Sequence, residues 1–514
     1  MQSGFKKTSL VAIFSIVNNL LLTFFSLVYN RLIILNYGSL VAGLISTMTQ
    51  FTSMFTVIEG GFSLSVIVAT YKPMINGDYS ELNDILFTAK KFFCRITALY
   101  TCVVLISGVI YIFFLDSPLS FLHTFLLLVL TTSTTALTIG GSSIYSVVLS
   151  GDNKQYISIL ISAICRIITW SISITLIIYK VNIIFVYTMN VITVVLNIFI
   201  LKLYEKKKYP KITFKGDYNP RKITGIKDVM FQKIAATVFT STDLVLVSIG
   251  LSLSKASVYN VYNQIFTGVY QYLSSLSSSP TDTFGHLISI GEMKNASEKF
   301  EIYKKTVLFI STVVFTVATV MITPFLIIYT RNIKDEEYIV SGLAIIFFTY
   351  SFFKINNLPY GMIINVSGQF KKQNIQTAVA AVVNIVSSIV FMHLFGLNGI
   401  ILGSAIGTLM IIFVNIFRAK EIIDFNVIKD IFLLISNYAI GIAVVFFFEK
   451  YLVTGIENYI SWTIRAIIIF LLVALIVIAW NFFVDRSGFS KSSNFYWQKI
   501  NSKINKKNDI TVSR

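Results

Sequence analysis

Charged residues, cysteine and proline are all scarce in this sequence. Of its 514 residues, 13% are charged and 55% are apolar, with 7 prolines and 3 cysteines. Soluble domains carry about 25% charged residues, so the composition excludes an ordinary water-soluble enzyme. The cysteines form no CxxC pair and no Cys/His cluster at ligand spacing, which argues against structural disulfides and against zinc. Neither a metal site nor a cofactor is predicted.

Motifs of common enzyme classes are missing as well. There is no G-x-x-x-x-G-K-[ST] loop, which excludes ATP hydrolysis by that route. No Ser/His/Asp or Cys/His constellation stands out. No pair of aspartates on a cytoplasmic loop indicates a metal-dependent glycosyltransferase. We therefore expect that the chain is not an enzyme.

Long apolar runs over the whole length predict an all-α polytopic membrane protein. A transmembrane helix needs about 20 predominantly apolar residues, and short polar breaks divide the chain into about fourteen such spans. The first run follows Lys6 and Lys7 as in a signal peptide, but it is too long and lacks a cleavage site, so we interpret it as a retained helix. The predicted spans are 10–36, 40–70, 92–115, 119–149, 156–179, 183–203, 228–250, 256–290, 306–330, 338–366, 375–395, 398–418, 431–449 and 462–484.

The basic residues predict the orientation of these spans. With the amino terminus and alternate loops on one side, that side holds 32 lysines and arginines and the opposite side holds six. By the positive-inside rule both termini are cytoplasmic. The net charge of +18 is then mostly a consequence of topology, and nucleic acid is not an expected partner.

The two halves of the chain resemble each other at their loops. Gly77 precedes Lys90 by 13 residues, as Gly291 precedes Lys304, and three further correspondences lie at nearly the same offset. The pattern predicts two six-helix bundles related by a parallel pseudo-repeat, with two extra helices at the end. The predicted divisions are an N-terminal bundle (1–203), a basic cytoplasmic linker (204–227), a C-terminal bundle (228–418), two additional helices (419–484) and a basic cytoplasmic tail (485–514).

This arrangement resembles the multidrug/oligosaccharidyl-lipid/polysaccharide exporter superfamily, and within it the Wzx-type polysaccharide flippases. The resemblance covers essentially the whole chain, but each motif is short. The motifs are Asn30-Arg31-Leu32 with Gly38, Glu59-Gly60-Gly61-Phe62, Met74-Ile75-Asn76-Gly77-Asp78 and Ser150-Gly151-Asp152-Asn153-Lys154.

The resemblance implies a flippase of surface polysaccharide biosynthesis in the bacterial cytoplasmic membrane. Its substrate would be undecaprenyl-diphosphate-linked oligosaccharide, moved to the outer leaflet by alternating access. Membrane lipids are expected partners, and a polysaccharide polymerase and glycosyltransferases are possible ones. Coupling to protons or sodium is left open.

Ionisable residues inside the spans are costly and therefore indicate function. Arg31, Arg166 and Lys354 are the candidates for binding the substrate diphosphate, because lysine and arginine form charge-assisted hydrogen bonds with phosphate oxygens. Lys354 shares its span with Asn356, Asn357, Pro359 and Gly361, which is typical of a broken helix lining a cavity.

The remaining candidates are counter-ions or coupling groups. Glu59 and Asp243 are predicted to balance the basic residues or to carry a coupling ion. Asp282 and His286 are four residues apart and so share a helix face, as a proton-coupling pair would. Lys233 is a further candidate, with reach to the inner membrane interface as the alternative role.

Three alternatives remain at this point. A drug or cation antiporter of the same fold should have a net acidic cavity, whereas the spans here carry a net charge of +2. A lipid II flippase is closer, but its Arg/Asp-rich first-helix pattern is matched only at Arg31. A polysaccharide polymerase would usually carry a large external loop with arginine and histidine, which this sequence lacks.

Overall fold

The structure is a computed structural model that describes residues 2–59, 61–220, 223, 237, 241–277, 280–451, 455–486, 488 and 490. In this part of the chain the regular structure is entirely helical, which confirms the all-α prediction. The helices are α1 (Gln2–Tyr37), α2 (Ser39–Met54), α3 (Phe62–Asn76), α4 (Tyr79–Ile112), α5 (Phe121–Leu137), α6 (Ser143–Gly151), α7 (Gln155–Ile178), α8 (Ile183–Lys208), α9 (Ser241–Gly250), α10 (Leu253–Ser277), α11 (Thr281–Ser289), α12 (Met293–Tyr329), α13 (Leu343–Asn356), α14 (Leu358–Val366), α15 (Phe370–Phe395), α16 (Leu397–Ile422), α17 (Val427–Tyr451) and α18 (Tyr459–Val484).

Ten helices among the described residues are long and apolar enough to cross a membrane. The chain is thus a multi-pass membrane protein, although the predicted count of fourteen spans is not confirmed. The predicted first span lies within α1, of which Leu21–Tyr37 is an apolar segment, and the described part of the predicted seventh span includes the apolar helix Ser241–Gly250. In the eighth, α10 is long but rich in serine, asparagine, glutamine and tyrosine, and the tenth is divided into two short helices.

Four predicted spans are interrupted by a change in the helix, and in the fourth of all the predicted spans (119–149) a π-helical segment at Thr138–Ser142 separates α5 from α6. In the second, a 3₁₀ turn at Phe55–Ile58 separates α2 from α3. The eighth divides between α10 and α11, and the tenth divides between α13 and α14 at Asn357. Breaks of this kind place polar backbone groups at membrane depth, which is tolerated only where protein or water satisfies them.

The described residues form two compact units. Unit 1 comprises Met1–Gly268, Asn332–Tyr338 and Phe370–Gly407, and unit 2 comprises Val269–Arg331, Ile339–Gln369 and Thr408–Arg514. These boundaries fall at different positions from the predicted division into bundles, linker and tail, which stays a prediction. Most of the tail lies outside the described residues.

Close helix approach in unit 1 depends on small residues and on buried hydroxyl groups. A Cβ atom on Gly43 of α2 would lie 1.7 Å from the backbone oxygen of Leu253, so only glycine allows α2 to meet the start of α10. The buried Tyr111 hydroxyl on α4 lies 2.6 Å from the Ser248 hydroxyl on α9. These contacts join helices from distant parts of the sequence.

The last two helices of unit 2 pack against α12. A buried cluster of aliphatic residues includes Val320 of α12, Val445 of α17 and Val473 of α18. At one edge of this cluster, the indole nitrogen of Trp462 donates a 2.9 Å hydrogen bond to the backbone oxygen of Met321. The two additional helices are therefore part of one hydrophobic core with α12.

The same three helices are also joined by ion pairs. Lys304 lies 2.5 Å from the buried carboxylate of Asp430. Asp485, directly after α18, lies 2.6 Å from Lys305 of α12 and 2.8 Å from Lys429 of α17. Burial alone would raise the pKa of Asp485, but the hydrogen bonds from these two lysines outweigh it and hold the pKa below its ordinary value.

Replacing Asp485 with asparagine is expected to destabilise the attachment of α18. Hydrogen bonds to charged groups contribute about 1.5–3 kcal/mol each, and Lys429 is partly exposed, so we expect a loss of about 1–3 kcal/mol in all. Because the folded-state pKa is lowered, this contribution is present at neutral pH and is lost as the pH falls through the folded pKa.

Thermal unfolding in detergent at neutral pH and in acid tests this prediction. Asp424→Asn is the matched control, because Asp424 is exposed and pairs only across one turn with Lys420. An equal melting temperature for Asp485→Asn and the control at neutral pH would contradict the prediction.

The predicted topology is tested by reporter fusions. Fusions after Lys215 and after Lys503 should both report a cytoplasmic location, and a fusion after Arg331 should report an external one, because of the charge asymmetry. An external signal from the fusion after Lys215 would contradict the predicted orientation and the helix count on which it depends.

Candidate functional site

Lys354 lies in the last turn of α13, three residues before the break with α14. Its ammonium nitrogen donates a 2.9 Å hydrogen bond to the Tyr350 hydroxyl one turn earlier. The same nitrogen lies 4.7 Å from the ring centroid of Tyr270 and 4.8 Å from that of Tyr350. All three residues belong to unit 2. The half-buried ammonium group is therefore held between two aromatic rings.

Two asparagines satisfy polar groups around the break. Asn356 donates hydrogen bonds to the Ser311 hydroxyl (2.9 Å) and to the Phe352 backbone oxygen (2.8 Å). The side-chain oxygen of Asn357 accepts a 2.9 Å hydrogen bond from Asn415 of α16. Since Pro359 lies at the start of α14 and cannot donate a backbone hydrogen bond, the sequence both breaks the helix and supplies the side chains that stabilise the break.

This geometry suits a group that binds an anion. Cation–π contacts stabilise a desolvated ammonium by roughly 2 kcal/mol or more, and they do so without neutralising its charge. The ammonium group is thereby held at the helix break. The site can therefore attract a phosphate oxygen through charge-assisted hydrogen bonds.

The other two predicted cations, Arg31 and Arg166, both belong to unit 1. Trp170, one turn after Arg166 on α7, contacts Phe25 and Tyr29 of α1. Tyr37 at the end of α1 also meets Val181 just after α7, so the two helices run in the same direction. Arg166 therefore lies about 12 Å nearer the start of α1 than Arg31 does. Arg31 also lies on nearly the opposite face of α1 from Tyr29, because two residues turn a helix by about 200°.

Glu59 directly follows the 3₁₀ turn that interrupts the second span. The Glu59 carboxylate accepts a hydrogen bond from the Ser63 hydroxyl. The Glu59 backbone oxygen accepts a 2.9 Å hydrogen bond from the Phe62 backbone amide. The carboxylate is half-buried. The structure thus places this candidate at a helix break, as it places Lys354.

Asp243 is buried in unit 1, with 5% of its surface exposed. Its carboxylate accepts hydrogen bonds from the hydroxyls of Ser404 (2.6 Å) and Tyr259 (3.2 Å). The Ser404 hydroxyl in turn accepts a 2.7 Å hydrogen bond from the amide of Asn384. Three other helices, α10, α15 and α16, thereby contribute polar side chains to a hydrogen-bond network around the α9 carboxylate.

Asp282 and His286 lie on the same exposed face of the short helix α11, whose Phe284 and Leu287 are buried. The two side chains form no ion pair with each other. Asp282 lies in the first turn and His286 in the last turn of α11. Lys233 lies outside the described residues.

Comparison with solved structures identifies the fold of this chain. No family model and no curated protein matches the sequence. Among solved structures, the chain is similar to the lipid II flippase MurJ in its inward closed conformation, with a TM-score of 0.66 and 18% identity over 92% of this chain and 98% of that one. The chain has the MurJ and MATE fold.

Two MATE transporters support this conclusion. One is an inward-facing MATE transporter of the MOP superfamily, with a TM-score of 0.59 and 11% identity over 80% of this chain and 97% of that one. The other is a eukaryotic MATE transporter, with a TM-score of 0.54 and 14% identity over 86% of this chain and 99% of that one. At these identities the likeness establishes architecture, whereas function must be argued from the site.

Proposed function

We propose that the protein is a secondary transporter that flips undecaprenyl-diphosphate-linked oligosaccharide across the bacterial cytoplasmic membrane by alternating access. The observation that carries the proposal is Lys354, a cation held between two tyrosine rings at a helix break. A lipid-linked diphosphate is the substrate class that such a cation suits, because the polyprenyl chain can stay in lipid while the phosphates need a cationic partner inside the protein.

Arg31 and Arg166 are proposed as further contacts to the substrate. The two arginines lie at different levels along α1 and α7, and Arg31 lies on nearly the opposite face of α1 from Tyr29. They would therefore not bind the same phosphate oxygens. We assign them to successive positions of the diphosphate along its path, with Arg166 nearer the cytoplasmic side. Lys354 is the contact on which the proposal depends most.

Asp243 is proposed as the site of a coupling ion, either a proton or sodium. Carboxylate and hydroxyl oxygens are hard ligands, which suit a hard cation better than a soft metal. A single carboxylate also matches a single positive charge. Glu59 is proposed as the counter-ion at the break in the second span, whereas Asp282 and His286 carry less weight because they are exposed and unpaired with each other.

Flipping of lipid II is the second candidate function. The observation that favours it is the likeness to MurJ over 92% of this chain. Lipid II is also a polyprenyl diphosphate bearing sugars, so the Lys354 site suits either substrate. A polysaccharide polymerase and glycosyltransferases are proposed partners only under the first candidate, since they would make and consume its substrate.

Complementation in two bacterial strains separates the candidates. One strain lacks the flippase of a surface glycan, and the other is depleted of its lipid II flippase. We expect this protein to restore the surface glycan in the first strain and not to restore growth in the second. The reverse result would favour lipid II, and rescue of neither strain, with normal membrane abundance, would contradict both.

A further inference from the structure

The polar segment after α8 is attached along the side of α4. This strap, residues 209–219, is held by side chains of α4 that bind its backbone. Asn83 donates to the Lys211 oxygen (3.1 Å) and accepts from the Thr213 amide (2.8 Å). Asp84 accepts from the Asp217 amide (2.8 Å), and the strap therefore has a defined position on the helix.

Close contact between the strap and α4 depends on Gly216. A Cβ atom there would lie 2.5 Å from the Asp84 carboxylate and 3.0 Å from the Asp84 backbone, so a larger residue would push the strap away. One turn further along α4, the Thr88 hydroxyl accepts a 2.9 Å hydrogen bond from the backbone amide of Asn219. The intervening residue, Tyr218, is thereby placed beside the next turns of α4.

Tyr218 meets two cations on this part of α4. Arg95 donates a 3.2 Å hydrogen bond to the Tyr218 hydroxyl, and its guanidinium carbon lies 5.5 Å from the ring centroid. The Lys91 nitrogen lies 5.4 Å from the same ring. Both cations are exposed, and neither pairs with a carboxylate in the described part of the chain.

The length of α4 places this cluster at the inner membrane boundary. From Arg95 to its end at Ile112 the helix extends about 27 Å, close to the roughly 30 Å of a hydrocarbon core. Between Arg95 and the end of α4 at Ile112, the exposed face of the helix is apolar, with Leu99, Ile106 and Ile110 each more than half exposed. This face suits lipid, so the two cations lie where the lipid headgroups begin.

We propose that Lys91, Arg95 and Tyr218 form a binding site for the phosphate of an anionic phospholipid in the inner leaflet. The arginine and lysine would bind phosphate oxygens, the tyrosine orients the arginine, and the apolar face above contacts the acyl chains. The site belongs to unit 1 alone and does not depend on the transport function proposed above. Its second role would be to hold the linker between the two halves against the membrane.

Native mass spectrometry of the purified full-length protein, titrated with phosphatidylglycerol, tests the site. The variant Lys91→Gln/Arg95→Gln is expected to bind the lipid at least about tenfold more weakly, since each lost contact is charge-assisted. Tyr218→Ala should weaken binding by a smaller factor. The matched control Lys72→Gln/Lys90→Gln removes the same charge from exposed positions and should change binding less than about twofold.

Three outcomes would overturn the proposal. Equal weakening by the control variant would show that the lipid is attracted by the overall basic charge of this surface. Displacement of bound phosphatidylglycerol by inorganic phosphate would show a site for free anions. Phosphatidylcholine, which carries phosphate but no net charge, should bind wild type more weakly than phosphatidylglycerol, and equal affinity would contradict an anionic site.

Discussion

Lys354→Glu is expected to abolish transport while the protein is still made. The substitution would place a carboxylate between the rings of Tyr270 and Tyr350, where the electron-rich ring faces repel it. It would also repel the substrate diphosphate. Lys354→Ala should reduce transport about 10- to 100-fold, because a charge-assisted hydrogen bond contributes about 1.5–3 kcal/mol. Lys354→Arg keeps the positive charge but replaces the compact ammonium with a planar guanidinium group, so partial activity is expected.

Restoration of surface glycan in the flippase-deficient strain measures these effects, with membrane abundance determined for each variant. Lys334→Glu is the matched control, since Lys334 is an exposed loop residue. Normal glycan from Lys354→Glu at normal abundance would rule out a phosphate contact at this position. Loss of the protein itself would show that Lys354 is structural.

Asp243→Asn is expected to remove the dependence of transport on an ion gradient, with at least about a tenfold loss of rate. Asparagine is nearly the same size, but it removes the negative charge that would hold a proton or sodium ion beside Ser404 and Tyr259. Ser404→Ala removes one oxygen and leaves the charge, so a smaller loss is expected.

Transport by vesicles under imposed sodium or proton gradients provides the measurement. Glu457→Gln, which removes an exposed carboxylate, serves as the control and should respond to the gradient like wild type. Gradient-dependent transport by Asp243→Asn would contradict the assignment of the coupling ion to this carboxylate.

Much of the fold could be predicted because membrane helices have a strong local signal. The long apolar runs gave the all-α class and the approximate position of most helices. The breaks were harder to predict: Pro359 and the neighbouring asparagines indicated one, whereas the 3₁₀ turn at Phe55–Ile58 was missed. Apolar composition alone predicts a continuous span there, although Gly60 and Gly61 offered a signal for the interruption.

The surroundings of the candidate residues could be predicted only in part. The polar neighbours of Lys354 within its own span could be predicted, but Tyr270 is 84 residues away and no periodicity links it to that span. Asp243 likewise meets Ser404 from a distant helix. The pairing of Lys304 with Asp430 was missed for the same reason, because contacts between helices depend on how the whole chain packs.

The most direct test of the proposed function is flipping by the purified protein in liposomes that contain undecaprenyl-diphosphate-linked oligosaccharide. Movement of the glycan between leaflets is measured by its accessibility to an added glycan-modifying enzyme. The proposal predicts rapid movement with wild type and movement near that of protein-free liposomes with Lys354→Glu. Equal rates for wild type and protein-free liposomes, or for wild type and Lys354→Glu, would contradict it.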